Sequence, residues 1–249
     1  MRAKNTEERV GKMNIGMLIA GGKGVRTNQD IPKQFLNIHD KPVIVYTMQA
    51  FQKHPEIDAI LVVCIDGWQE MLKAYAHQFN ITKLKWITAG GENGQESIHN
   101  GLLELEKYCS QSDLVLIHDA IRPNVSQEII SNCIAECRLH GSAITVIPCA
   151  EAMLLRNENL NSSSALISRE TLARTQTPQG FPLGKLLWAH EEAKKRGICN
   201  STASCTLMVE LGEEVHFCPG SEKNIKITTT EDIEIYKALL MAKKDDWLK

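Results

Sequence analysis

Three short segments of the 249-residue chain carry the residue types that handle phosphate. In Ala20-Gly21-Gly22-Lys23-Gly24-Val25-Arg26, three glycines remove side chains and let backbone N–H groups approach phosphate oxygens. Arg26 and the nearby Lys33 add two cations, so the loop reads as a cradle for polyphosphate. It matches neither common glycine fingerprint. Gly22-Lys23-Gly24 runs into Arg26 and then Asn28 to Pro32, which cannot open a helix directly as a dinucleotide loop must, and the terminal G-K-[ST] of a Walker A loop is missing. The other two segments are Ala89-Gly90-Gly91-Glu92 and His118-Asp119-Ala120-Ile121-Arg122-Pro123. A glycine turn with solvated cations would account for the first loop if it stood alone.

These segments can act together only if the fold brings them to one edge. Apolar runs predict strands at Ile15–Ala20, Ala59–Ile65, Leu84–Thr88, Leu114–His118 and Ala143–Ile147. Helical periodicity predicts helices near Val43–Lys53, Trp68–Phe79, Glu96–Tyr108 and Gln127–His140. Such alternation means an α/β fold, a mostly parallel sheet with helices on both faces. Ligands of such sheets sit outside the carboxyl ends of the strands, where all three segments fall.

From Pro148 to about Ala173 the alternation stops, and polar Asn157–Ser164 reads as the tip of an arm over about 149–173. Thr177-Pro178-Gln179-Gly180-Phe181 reads as a turn, followed by helices near Leu183–Lys195 and Thr202–Leu211 and a last strand at Val215–Cys218. A closing helix is expected over Glu231–Lys243, capped by Thr230. No repeat or linker interrupts the chain, so residues 13–249 are expected to form one domain behind a disordered leader at 1–12.

Lys and Arg (28) nearly balance Asp and Glu (30), for a net charge of -2. That disfavours roles resting on a broad basic field, such as non-specific attraction to nucleic acid or anionic lipid. Any anion must be met locally. The eight cysteines include no C-x-x-C pair; Cys133 and Cys137 could share a helix face, but two thiolates make half a zinc site. They are expected as small buried hydrophobes in a reducing cytoplasm. Met1–Lys12 lacks the apolar core of a signal peptide, and no run approaches the roughly 20 apolar residues of a membrane span.

Five motifs in order resemble those of a known family. They are Leu18-Ile19-Ala20-Gly21-Gly22-Lys23-Gly24-Val25-Arg26, Pro32-Lys33-Gln34-Phe35-Leu36, His118-Asp119-Ala120-Ile121-Arg122-Pro123, Gln176-Thr177-Pro178-Gln179 and Asn224-Ile225-Lys226-Ile227-Thr228. The chain is similar, from about Asn14 to Leu240, to the CTP-dependent cytidylyltransferases that act on 2-C-methyl-D-erythritol 4-phosphate or ribitol 5-phosphate. The resemblance implies a Rossmann-like sheet of the nucleotide-diphospho-sugar transferase type with a small protruding dimerisation arm. It also implies joining of a polyol phosphate to the α-phosphorus of CTP with release of pyrophosphate, Mg²⁺ riding on the triphosphate. The attacking phosphate oxygen is already ionised, so the chemistry asks for alignment and charge neutralisation rather than a general base.

By matching to the family, Arg26 and Lys33 are assigned to the triphosphate and the pentacoordinate phosphorus, and Lys226 to a further phosphate clamp. Ala20, Gly21, Gly22 and Gly24 should pass close to the nucleotide, and Gly91, Glu92 and Ser97 to the polar edge of cytosine. Asp119 matches an aspartate that meets ribose hydroxyls, acceptor hydroxyls or metal. Arg122 either contacts an anion or pairs within its own motif. Arg169, Thr177 and Thr202 match acceptor-contacting positions, with Arg169 serving the partner subunit of a homodimer. His118 has no task in phosphoryl transfer and is expected to be a satisfied core histidine.

The acceptor side departs from the pattern. Glu151-Ala152 stands where the family usually carries Asp-Thr, Ala203 follows Thr202 where it usually carries Asp, and Gly94 replaces an Arg of the base-binding loop. Losing a buried hydrogen-bond partner typically costs about 1–3 kcal/mol, enough to shift substrate preference without abolishing chemistry. Gly21-Gly22 and Lys33-Gln34-Phe35-Leu36 look more like the ribitol 5-phosphate branch. Methylerythritol phosphate, a different phosphorylated acceptor and a non-catalytic CTP-binding module remain the alternatives. A sensor of CTP would not need Arg26, Lys33, Asp119 and Lys226 together. A nicotinamide-dependent reductase would need an acidic residue about 20 residues past the loop. Asp40 is near that spacing but sits in a turn before a helix.

Overall fold

The computed structural model describes residues 12–22 and 31–245. Gly24 and Arg26 of the first loop, with leader residues 1–11, lie outside the described residues. The strands are β1 (Asn14–Ala20), β2 (Asn37–Ile38), β3 (Lys41–Pro42), β4 (Ala59–Cys64), β5 (Leu84–Ala89), β6 (Leu114–Asp119), β7 (Ala143–Pro148), β8 (Met153–Leu155), β9 (Ala165–Ile167), β10 (Ala173–Pro182) and β11 (Phe217–Pro219). The helices are α1 (Val43–Lys53), α2 (Gln69–Gln78), α3 (Gly94–Glu106), α4 (Gln127–His140), α5 (Leu183–Arg196), α6 (Ser204–Glu210) and α7 (Thr230–Asp245).

Seven strands form one sheet in the order β5-β4-β1-β6-β10-β7-β11. β1 pairs in parallel with β4 and β6, β4 with β5, and β7 with β11, while β10 runs antiparallel to β6 and β7. The central strands are buried on both faces, and their side chains sort with period two. Leu18, Ile60, Val62 and Leu116 pack with Ile44, Met48, Ile130 and Ile134 of α1 and α4. Met17, Leu61, Val63 and Val115 pack with Leu102, Leu186 and Met208 of α3, α5 and α6. A Cβ on Gly101 would stand 2.6 Å from the Met17 sulfur, so glycine there lets α3 lie close on the sheet. A smaller cluster of Ile38, Val43, Ile121, Ile227 and Tyr236 fixes α7 beside α1.

α1 and α4 span the residues that periodicity predicts, and α4 stops at Gly141, whose φ of 73° only glycine adopts without strain. Other boundaries differ for local reasons. α3 begins at Gly94 because the Asn93 side chain accepts the Glu96 N–H at 2.9 Å, a cap hidden behind a glycine, which is a poor helix former. The cap of α7 is Thr229, not Thr230: Thr229 Oγ1 accepts the Asp232 N–H, and Asp232 Oδ2 accepts the Thr229 N–H in return. Residues 177–181 are not a turn but lie inside β10, where the ladder shifts register between Thr175 and Gln179 around a cis Thr177–Pro178 bond. Proline lacks the donor a ladder needs, and the shift accommodates it. Cys133 and Cys137 are buried as small hydrophobes, but Cys199 is exposed and Cys109 half-buried. Among the described residues, no helix is long and apolar enough to cross a membrane.

Candidate active site

β1 lies between β4 and β6, so the chain leaves it to one side and returns on the other, opening a crevice at its carboxyl end. A cleft of about 850 Å³ fills that crevice, bounded by Ala20–Gly22, Lys33, Gly90–Gly94, Asp119 and Lys226. Its two glycine loops touch through backbone. A Cβ on Gly21 would meet the Gly90 Cα at 3.4 Å and Ser97 Oγ at 3.2 Å, so Gly21 is glycine for loop contact as well as for any ligand. Buried Gln34 pins the first loop by donating from Nε2 to the carbonyls of Ala20 (2.8 Å) and Gly22 (3.2 Å). The turn bearing Lys33 and Gln34 rests on Trp68, whose ring stacks on Phe35 at 4.5 Å.

The second loop is tied to the helix that follows it. Ser97 Oγ accepts the Gly91 N–H (2.9 Å) and donates to the Asn93 carbonyl (2.8 Å), while Glu96 accepts the Glu92 N–H (2.7 Å). Ser97, expected at the edge of the base, lines the cleft and is buried, with its hydroxyl bracing the glycine loop. Gly91 and Glu92 line the cleft with their N–H groups already engaged, leaving carbonyl oxygens and the Glu92 carboxylate for a ligand.

At the cleft floor Asp119 binds two cations, Lys226 Nζ through Oδ1 and Arg122 Nε through Oδ2, each at 3.0 Å. Burial works to raise the Asp119 carboxyl, but Lys226 and Arg122 together outweigh it and hold the group below the usual carboxylate range. Arg122 Nη1 also donates to the Asn224 carbonyl at 2.8 Å. The arginine thus pairs within its motif, binding the turn after β6 to the loop that carries Lys226. That loop is held again where Ile227 N–H meets the Ile121 carbonyl (2.9 Å) and where Asn224 Nδ2 donates to the Thr177 carbonyl (2.9 Å).

A second lobe of about 400 Å³ opens from the first and shares Ile19, Gly94, Asp119 and Lys226 with it. Thr175, Thr177, Thr202 and Thr206 line it, so Thr177 and Thr202 reach one lobe together. Arg169 does not. It sits on the arm with Nη1 donating to the Ala150 carbonyl, and it lines neither lobe of its own chain. Two contiguous lobes that meet at a lysine and an aspartate suit a nucleotide and a second substrate brought phosphate to phosphate.

The family model described as 2-C-methyl-D-erythritol 4-phosphate cytidylyltransferase matches residues 15–242. The chain belongs to this cytidylyltransferase family. A ribitol-5-phosphate cytidylyltransferase of Lacticaseibacillus paracasei is 39% identical over 234 residues, covering 93% of this chain and 100% of that one. Another from Vibrio parahaemolyticus is 40% identical over 230 residues, 92% and 96% of the two chains. A 2-C-methyl-D-erythritol 4-phosphate cytidylyltransferase of Clostridium botulinum is 36% identical over 228 residues, 91% and 97%. Among solved structures, the 2-C-methyl-D-erythritol 4-phosphate cytidylyltransferase of Thermus thermophilus superposes with a TM-score of 0.72 at 26% identity, covering 91% of this chain and 98% of that one.

The cytidylyltransferase is an enzyme, and its centre can be read as one. Lys33 and Lys226 approach the cleft from elements far apart in sequence, as charge neutralisation on a triphosphate requires. Among the described residues no three His, Cys, Asp or Glu side chains stand together as a metal cluster, and both Asp119 oxygens are ion-paired. Asp119 is the carboxylate in the cleft that a magnesium ion carried by a triphosphate would meet. Sequence reading gave no role to Gln34 or Asn100, which line the nucleotide lobe, or to Gln176. The amide of Gln176 joins β10 to the Lys226 loop through Ser221 and Asn224.

Proposed function

We propose that this cytidylyltransferase transfers CMP from CTP to ribitol 5-phosphate. An oxygen of the ribitol phosphate attacks the α-phosphorus of CTP, the bond to the β-phosphate oxygen breaks, and pyrophosphate leaves with its electron pair, giving CDP-ribitol. The observation that carries this reading is the pair of lobes meeting at Lys226 and Asp119, which lets a second phosphate lie in line with a bound triphosphate. Lys33 and Lys226, with Arg26, take the charge that builds on the α-phosphoryl group and the leaving pyrophosphate. Magnesium on the triphosphate adds to that neutralisation.

The choice of ribitol rests on the relatives at 38–40% identity, which carry that name, and on the Gly21-Gly22 loop. The second lobe sets threonine and serine hydroxyls opposite Asp119, Arg122 and Lys226, a lining that suits a polyol carrying a phosphate. Two features support a homodimer. The arm exposes Leu154 and Leu166, and Arg169 stands on it away from its own cleft, where a partner's acceptor lobe would receive it. A nucleoside triphosphate substrate and largely buried free thiols fit a reducing cytoplasm.

Pyrophosphate release from CTP with each acceptor tests the reading. A kcat/KM for ribitol 5-phosphate at least about tenfold above that for methylerythritol phosphate is expected, the margin one or two polar contacts supply. The reverse order assigns the enzyme to methylerythritol phosphate, the substrate in the family model's description.

A further inference from the structure

We propose that His118 is a positioning residue of this active site: it accepts the hydrogen bond of the Thr177 hydroxyl, so that Thr177 meets the acceptor with a lone pair and not as a donor. The argument is donor accounting. His118 is fully buried, and its Nε2 lies 3.1 Å from the carbonyl oxygen of Arg122. A carbonyl only accepts, so Nε2 carries the proton. The ring is fully buried against Phe51, and its two hydrogen-bond partners are a carbonyl and a hydroxyl, neither of them an anion that would hold a second proton. Nδ1 is then a bare acceptor, 3.0 Å from Thr177 Oγ1, and the hydroxyl donates to it.

Thr177 Oγ1 also accepts the Asp119 N–H at 3.0 Å. Of the hydroxyl's one proton and two lone pairs, one lone pair remains. An ionised phosphate offers only acceptors and cannot bond to it, whereas a polyol hydroxyl can. The bonds also close on themselves. Asp119 N–H donates to Thr177, Thr177 to His118, His118 to the Arg122 carbonyl, and the Arg122 side chain to the Asp119 carboxylate. His118 therefore fixes the turn that bears both Asp119 and Arg122 as well as the threonine facing the acceptor. Gly16 leaves room for the Phe51 ring, with which any Cβ there would collide, and that ring packs 5.2 Å from His118.

What Thr177 does to the acceptor rests on the proposed function, but the state of His118 does not, and two measurements separate them. Long-range proton–nitrogen correlation spectra of the ¹⁵N-histidine-labelled native enzyme are expected to show His118 protonated at Nε2 only, both free and saturated with ribitol 5-phosphate or inorganic phosphate. A proton on Nδ1, or a Nδ1 signal that loses its donor when either anion binds, overturns the proposal. In kinetics, His118→Phe is expected to lower kcat by about tenfold or more, with the KM for CTP within about twofold. Adding Thr177→Val to that variant should cost less than about twofold more, because the two residues act through one bond. Multiplying losses overturn the proposal, since Thr177 would then act on the acceptor independently of His118. If His118→Phe does not fold, the spectra of the native enzyme decide. If ribitol 5-phosphate is not turned over, the substrate reading fails while the spectrum of the free enzyme still judges the relay.

Discussion

Lys226 is shared between two partners. In the free enzyme it pairs with Asp119 at 3.0 Å while remaining nearly half exposed to the cleft, so it can stay on the aspartate and still present N–H bonds to an incoming phosphate. An ammonium suits this, being a point charge with three rotatable donors. Lys226→Met is expected to lower kcat by about a hundredfold, the loss typical of a donor aimed at transition-state charge. The thermal midpoint should also fall, because the mostly buried Asp119 carboxylate would keep only Arg122 as a partner. A variant that raised only the KM for CTP would show that Lys226 binds the ground state alone.

The charged residues of this site were legible because lysines, aspartate and arginine sit inside ordered motifs. The amides were not. Gln34 and Gln176 act by hydrogen bonds to backbone across the sheet edge, and nothing in their local sequence reveals those partners. The bracing role of Ser97, which also lines the cleft, was hidden for a related reason. Its position near the base loop is visible in sequence, but the direction of its hydroxyl is set by the fold.

Among the elements, α3 carries the second glycine loop, and it rests on α5 through two stacked histidines. The rings of His99 and His190 lie 5.1 Å apart, and His190 Nε2 is buried without a hydrogen-bond partner. Burial and then the neighbouring His99 push His190 down to about 4 from an ordinary 6.5. His118 is held equally low by burial. An unfolded chain gains these protons as pH falls through 6.5, whereas the native state resists until about 4. Their contribution is thus complete above 6.5 and declines across that window, by about 1.4 kcal/mol per pH unit for each histidine. Urea unfolding at pH 7, 5.5 and 4.5 measures the slope. His190→Phe, which removes one such proton and the unsatisfied nitrogen while leaving His118 and the also lowered His54, should reduce the slope by about 1.4 kcal/mol per pH unit; an unchanged slope would mean that His190 titrates normally.

Periodicity located α1 and α4 because each buries one continuous stripe and α4 ends at a glycine. β10 escaped it, since Thr-Pro-Gln-Gly has the composition of a turn and only pairing with two neighbours makes it a strand.

At the scale of the whole molecule, the proposed dimer would form through the arm. Leu154 and Leu166 are directly paired across the β8–β9 hairpin, with 64% and 74% of their surfaces exposed. Placing glutamate at both positions is expected to convert a dimer into monomers in light scattering. CTP affinity should survive, because the nucleotide lobe is built without the arm, and turnover should fall as Arg169 of the partner is lost. Dimers that persist would place the interface elsewhere.

The reversed direction of β10 also bears on how such enzymes diversify. Its first residue, Ala173, lies beside Pro148 at the end of β7, so the arm, the threonines of the second lobe and the helix beyond follow one another along the gene. The nucleotide lobe draws almost entirely on residues before 122 and on Lys226. Recombination with breakpoints near Gln127 and Leu211 would therefore exchange the acceptor wall and the assembly arm as one inherited block. A relative could gain a new phosphorylated substrate in a single genetic event while leaving its taste for cytidine intact.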